Sequence, residues 1–208
     1  MQRLTKRLAD GLGARLRTSA SVTHIERAGA GWRITSDDGS FAADGVVLAT
    51  PAGVAAQLVA GFDAELAAQL GRIPSAAMRV IGIAFRATDL PAPLDGFGFL
   101  AARGSDVRIL GATYTSSIMP DQAPADTVYL RVFMGGATDL GAPTLDADAA
   151  RAIVLADLRT VLGIAAEPVA FHEVVWPQAI PQYALAHREI VAGIETRAAT
   201  HAPCVYRQ

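Results

Sequence analysis

Most arrangements of reactive side chains that a sequence can reveal are missing from this 208-residue chain. The four histidines, His24, His172, His187 and His201, show no HExxH or related spacing for metal ligation. One cysteine, Cys204, leaves no internal disulfide and no multi-cysteine metal site, and it fits a reducing compartment. No Ser–His–Asp or Cys–His arrangement is recognisable, and Asp37-Asp38 stands before Gly39 as turn chemistry, not as a catalytic pair. Gly11-Leu-Gly13-Ala-Arg-Leu16 has the outline of a dinucleotide fingerprint but the wrong context. That device needs a preceding strand and a following helix, so that helix N-terminal amides meet the diphosphate. Here the glycines close a helical pattern and precede a strand pattern, and Gly135-Gly136 likewise reads as a tight turn. The most distinctive string is Trp176-Pro-Gln-Ala-Ile-Pro-Gln-Tyr-Ala-Leu-Ala-His187. On its residues alone it is a strand leaving a core through a proline turn, with Trp176 and Tyr183 packed.

Composition narrows the field from the other side. Apolar residues make up 51% and charged residues 18%, which excludes a disordered chain. The net charge of −2 gives no basic surface for nucleic acid. Arg3, Lys6, Arg7, Arg15 and Arg17 cluster, but on a pattern that reads as the solvated face of a first helix. The charged opening is not a signal peptide. The longest apolar run, Val46 to Phe62, is broken by Pro51 and Gly53 and is too short to span a bilayer.

The elements that would position any site follow from periodicity. Leu4, Leu8, Leu12 and Leu16 predict one apolar stripe on a helix of about four turns. Residues 22–27 alternate, Gly29-Ala-Gly31 turns the chain into Trp32 to Thr35, and Asp37-Asp38-Gly39 turns it again. Val46 to Thr50 reads as a strand buried on both faces. Pro51 then suits a helix start, and residues 54–70 return to helical spacing. Met78 to Phe85, Gly96 to Leu100, Arg108 to Thr115 and Val128 to Met134 are strands separated by Gly and Pro, as in a mixed or antiparallel sheet. Asp146 to Leu162 is a helix closed by Gly163, Pro168 to Trp176 a strand, Arg188 to Ala198 a helix, and Pro203 to Tyr206 the start of a strand. The fold class is α/β (α+β).

The 176–187 string resembles the W-x-x-x-I-P-Q-Y-x-x-G-H signature of oxygen-dependent protoporphyrinogen oxidases and coproporphyrinogen oxidases, FAD enzymes of the amine-oxidase superfamily. Further motifs run collinear with it over essentially the whole chain. Met1-Gln-Arg-Leu4 is similar to the family's G-G-M-x-x-L, which would make Met1 an internal methionine. Val22-Thr-His-Ile25 is similar to V-x-x-I, and Val47-Leu-Ala-Thr-Pro-Ala52 to V-x-A-x-P-A. Gly96-Phe-Gly-Phe-Leu100 resembles GFG-x-L, and Phe133-Met-Gly-Gly136 resembles F-x-G-G. Leu110-Gly111, Ser116-Ser117, Pro120 and Ala123-Pro124 keep the spacing of LG…SS…P…AP, and Leu162-Gly163 with Glu167-Pro168 that of LG…EP.

The resemblance implies FAD-dependent oxidation of a porphyrinogen in haem biosynthesis, with O2 reoxidising the flavin. It implies a flavin contact at Val22, by its backbone, and another at Trp176. It implies a substrate wall at Leu100, Thr113 and Phe133, where Thr113 is more polar than the usual residue. A flat apolar macrocycle suits a broad pocket of aliphatic and aromatic walls. The flavin does the chemistry, so no catalytic acid or base and no metal is expected. Ala186 departs from the glycine of the G-H pair and puts the turn geometry there in question. The glycine-rich βαβ unit, the basic residue that anchors a propionate in relatives, and the late flavin motif have no counterpart here. The chain is therefore expected to be a piece of a longer enzyme, inactive alone. It would divide into residues 1–56 of the FAD domain, 57–175 of the substrate domain and 176–208 returning to the FAD domain. A cytoplasmic location is expected, with peripheral membrane contact and a homodimer left open. Alternatives are another amine-oxidase relative, such as a carotenoid desaturase or amine oxidase, or a non-catalytic tetrapyrrole- or partner-binding module.

Overall fold

A computed structural model of the chain describes residues 2–201 and 204–206. Met1 and Pro203, which carried two of the sequence expectations, lie outside them. The chain forms two compact units, one of residues Met1–Ile73 with Tyr183–Gln208 and the other of Pro74–Gln182.

In the first unit, helix α1 (Gln2–Leu12) ends in a 3-10 turn over Gly13–Arg15, one turn earlier than the leucine spacing predicts. Strands β1 (Val22–Ala28), β2 (Gly31–Ser36) and β3 (Gly39–Ala43) form an antiparallel meander in that order. The third strand was not foreseen, because Gly39-Ser-Phe-Ala-Ala43 is short and weakly alternating. Strand β4 (Val46–Leu48) pairs in parallel with β10 (Cys204–Tyr206). β4 is shorter than expected and not buried on both faces: Leu48 enters the core whereas Val47 is 68% exposed. The helical stretch after Pro51 is two helices, α2 (Ala52–Val59) and α3 (Ala64–Gly71). They are separated because Asp63 takes the N-cap position of α3 and accepts hydrogen bonds from the Glu65 and Leu66 amides. Leu58, Val59, Leu66 and Leu70 of these helices join Ile25, Trp32 and Ile190 and Ile194 of α6 (His187–Ala199) in one core.

That packing moves the division between the parts. The sequence reading cut the chain at 56/57 and 175/176, but the units part at 73/74 and 182/183. Helices α2 and α3 bury their apolar faces in the first unit's core, and the strand containing Trp176 runs on to Pro181.

The second unit is one antiparallel sheet backed by a helix. Its strands are β5 (Ser75–Arg86), β6 (Gly98–Leu100), β7 (Gly111–Tyr114), β8 (Thr127–Gly135) and β9 (Ala170–Pro181), in the order β6-β7-β8-β5-β9. A short helix α4 (Thr115–Ile118) follows β7. Pro177 and Pro181, which suggested a turn, are accommodated because β9 is an edge strand that pairs with β5 alone. Helix α5 (Ala147–Leu162) is capped by Asp146, whose carboxylate accepts the Ala149 amide at 2.7 Å, and stopped by Gly163 in the left-handed region. Val154 and Leu158 of α5 pack with Ile81, Ile83, Phe85, Leu130, Val132 and Met134 of the sheet.

Two buried charges tie these cores. Arg79, 2% exposed, donates to Glu173 at 2.5 Å, to the Ala142 carbonyl at 3.3 Å, and to the Leu145 carbonyl. Replacing it with Ala leaves those acceptors and a carboxylate unpaired, so Arg79→Ala is expected to destabilise the second unit by about 3–5 kcal/mol in urea unfolding. In the first unit, Asp63 accepts from Arg197 Nε at 2.6 Å and meets His201 Nε2 at 2.5 Å. Burial alone would raise the Asp63 pKa, but the hydrogen bonds from Arg197, the Leu66 amide and His201 outweigh it and hold the carboxyl well below the usual range. A depressed folded-state pKa gives stability that is complete above the unfolded value, about 3.9, and is lost as pH falls below it. Thermal melting at falling pH is expected to show a smaller loss for Asp63→Asn than for the parent, from a lower starting stability at pH 7.

Candidate functional site

An antiparallel strand sends alternate side chains to opposite faces. In the second unit the odd-numbered positions of β5 face α5, so the even-numbered ones form an open face. Register places Leu100, Gly111, Phe133, Val80 and Val174 opposite one another, in one row across all five strands. At about 4.8 Å between strands, that row is roughly 19 Å long. The next row is Gly98, Thr113, Arg131, Gly82 and His172. On the other side lie Gly135, Met78 and Trp176. Leu100, Thr113, Phe133 and Trp176, which the motifs singled out separately, thus share one face. Leu100 is 88% and Trp176 54% exposed, while Thr113 and Phe133 are half-buried. Val22 lies in the first unit at the start of β1, where it pairs with Ser36 and is exposed.

Glycine placement explains why the face is open. Every glycine within β5 to β9, namely Gly82, Gly98, Gly111 and Gly135, lies on it, and none lies on the core face. Gly98 and Gly111 have φ of +141° and +151°, and an added Cβ would stand 2.0 Å from the Ala112 carbonyl oxygen and 2.3 Å from that of Phe99. Close backbone approach therefore demands glycine at both. The result is a shallow floor with Leu100 and Phe133 at either side of Gly111. Motif matching found the side chains of this face but not its glycines; the period-two spacing of glycine on adjoining strands was the available signal.

The face holds no paired acid and base. Among the described residues no group of three or more His, Cys, Asp or Glu side chains could hold a metal ion. A cavity of about 370 Å³ in this unit lies elsewhere, lined by residues of the 101–110 loop with Thr138 and Asp139. The Arg108–Asp139 ion pair borders it, with Nε to Oδ2 at 2.6 Å. It includes none of the face residues.

The first unit bears on a dinucleotide. Gly11 and Gly13 do end α1, which rules them out as a phosphate cradle. At the crossover from β4 to α2, the Thr50 hydroxyl oxygen is buried without a hydrogen-bond partner among the described residues. Pro51 gives α2 no side-chain cap, so its first-turn amides are open to an outside acceptor. An orphaned hydroxyl beside uncapped amides fits a polyhydroxylated, phosphorylated ligand such as a flavin dinucleotide.

A family model for flavin containing amine oxidoreductases matches residues 1–204. The chain belongs to that family. As a flavin amine oxidoreductase it has FAD as its cofactor class and the mixed α/β fold of its structural neighbours. It is 27% identical over 186 residues to the coproporphyrinogen III oxidase of Bacillus subtilis (strain 168), covering 89% of this chain and 39% of the relative. It is 31% identical over 178 residues to that of Mycobacterium leprae (strain TN), covering 85% and 38%. The chain thus spans about two-fifths of the length of these relatives. A crystal structure from Exiguobacterium sp. 255-15, designated a protoporphyrinogen oxidase, superposes with a TM-score of 0.83 at 23% identity, over 99% of this chain and 45% of that one. Reduced UDP-galactopyranose mutase superposes at 0.78 with 10% identity, over 96% and 43%. The fold is therefore shared by proteins of different chemistry. No helix among the described residues is long and apolar enough to cross a membrane.

Ala186, where the porphyrinogen-oxidase motif has glycine, sits at φ +66°, in the left-handed region, at the N-cap of α6. The turn keeps the glycine geometry without the glycine. A left-handed alanine costs roughly 1–2 kcal/mol, so Ala186→Gly is expected to raise the melting temperature, with a gain of about 1 kcal/mol.

Proposed function

We propose that this chain supplies the substrate face, and part of the flavin-contacting surface, of an FAD-dependent porphyrinogen oxidase of haem biosynthesis with O2 as acceptor. The observation that carries this reading is the convergence of Leu100, Thr113, Phe133 and Trp176 on one glycine-floored sheet face. A flat macrocycle needs breadth and little relief. The row from Leu100 through Phe133 and Val80 to Val174 offers apolar contact along its length, and Gly98 and Gly111 let β6 and β7 approach closely beside it.

When bound, FAD supplies the hydride acceptor and, through O2, its own reoxidation. The protein's part is to hold the substrate and exclude water. Leu100 and Phe133 grip the ring to either side of Gly111, and Thr113 gives the wall one hydroxyl. Trp176 projects from the edge strand as an apolar surface for the flavin ring. In the first unit, Val22 of β1 offers its backbone to the adenine end of the dinucleotide. The relatives named as coproporphyrinogen III oxidases support the substrate class, and no fold neighbour by itself does. Protoporphyrinogen and coproporphyrinogen both remain within the reading, as do a cytoplasmic location and contact with a membrane surface.

The test is fluorescence titration of the chain with a porphyrin. Saturable binding is expected, and Phe133→Ala should weaken it about tenfold, the loss of roughly half a buried phenyl ring. Absence of saturable binding, or an unchanged affinity in the variant, would overturn the assignment of this face.

A further inference from the structure

The row beside Phe133 carries something an apolar wall does not need. Arg131 lies two residues from Phe133 on β8, paired with Thr113 on one side and Gly82 on the other, with His172 beyond on β9. It is exposed, and among the described residues it has no ion pair. Tyr129 joins the same face: its hydroxyl is 2.5 Å from where a Gly82 Cβ would stand, so glycine at 82 makes room for it beside Arg131. The one acidic residue in the five strands, Glu173, points to the opposite face and is held by Arg79. The open face therefore carries cationic and hydroxyl groups with no carboxylate of its own.

Resting on the substrate reading above, we propose that Arg131 is a specificity-determining residue of this face that anchors an ionised carboxylate on the rim of the bound macrocycle. A two-residue step along a strand is about 6.8 Å. A ring lying over Gly111 and Phe133 thus directs a short carboxylate arm to Arg131. The guanidinium fork matches a carboxylate in a bidentate arrangement, and the hydroxyls of Thr113 and Tyr129 surround the same place. The structure has spent no internal carboxylate on Arg131, which leaves the fork available to a ligand. The face should then discriminate between macrocycles by their charged arms: propionates are favoured, and esters or vinyl groups gain only the apolar wall.

The experiment titrates the chain with coproporphyrin III, which bears a propionate on each pyrrole ring, and with its methyl ester, following porphyrin fluorescence. Arg131→Gln is expected to weaken the acid about tenfold and leave the ester unchanged. Arg131→Lys, keeping charge without the fork, should fall between, and added salt should weaken the acid in the parent more than in Arg131→Gln. Equal effects on acid and ester, or none on either, would refute the role of Arg131. Phe133→Ala separates this from the underlying reading. If it weakens acid and ester alike while Arg131→Gln does nothing, the wall stands and the anchor falls; if it changes neither, both fall. Should Arg131→Gln melt below the parent, the acid-to-ester affinity ratio in Arg131→Lys decides, an unchanged ratio counting against the anchor.

Discussion

The period of two in an extended chain governs the second unit. Each residue of β5 must choose between the helix-covered side and the open side, and a shift of one register step would exchange them all. The strand spends Arg79, Ile81, Ile83 and Phe85 on the covered side, all fully or nearly buried. It spends Val80 and Gly82 on the other. Core packing and the open surface are thereby assigned to different faces of the same twelve residues. The core side pins the register with large side chains, and the open side is free to be flat, because nothing about holding the sheet together depends on it.

That separation sets a demand at the sheet's margins. Stripping Cβ atoms from Gly98 and Gly111 brings β6 and β7 backbones closer than any other residue allows, but glycine in a strand weakens it. The cost falls at one edge, where β6 is three residues long. The opposite edge, β9, is twelve residues long and is fixed by Glu173 to the buried Arg79, which in turn satisfies carbonyls of the segment leading into α5. The ion pair is thus a joint between the edge strand that carries Trp176 and the helix that covers the core. In the first unit Asp63 works similarly, capping α3 while joining it to Arg197 and His201 near the end of α6.

Much of this was legible in the residues. Asp146 and Gly163 marked both ends of α5, alternation marked β1, and apolar runs separated by Gly and Pro marked β5 and β8. Where the reading differed, tertiary context had overruled local signals. Prolines 177 and 181 argued for a turn, but an edge strand needs amide donors on one side only. Helical spacing ran on past residue 60 until Asp63, buried with Arg197 and His201 from distant sequence, broke it; no local pattern announces such partners. Val46 to Leu48 looked like a strand covered on both sides because its residues are apolar, yet only Leu48 is enclosed. Leu100, Thr113, Phe133 and Trp176 were singled out by motif, whereas the glycines and Arg131 of the same face emerge only from strand pairing, since they are scattered from 82 to 135.

The neighbours in fold argue in the same direction. Putrescine oxidase bound to putrescine superposes at a TM-score of 0.67 and a UDP-galactopyranose mutase at 0.78, so this fold does not by itself fix what is bound. Choice among ligands must then reside in side chains that the scaffold does not need. On this sheet those are the open-face residues other than Gly98 and Gly111, because the register is set from the core side. An amine-sized ligand gains little from an apolar row of roughly 19 Å, and an arginine without a carboxylate partner among the described residues repels a cationic one. Breadth, flatness and unspent positive charge together favour a wide apolar ring with acidic arms.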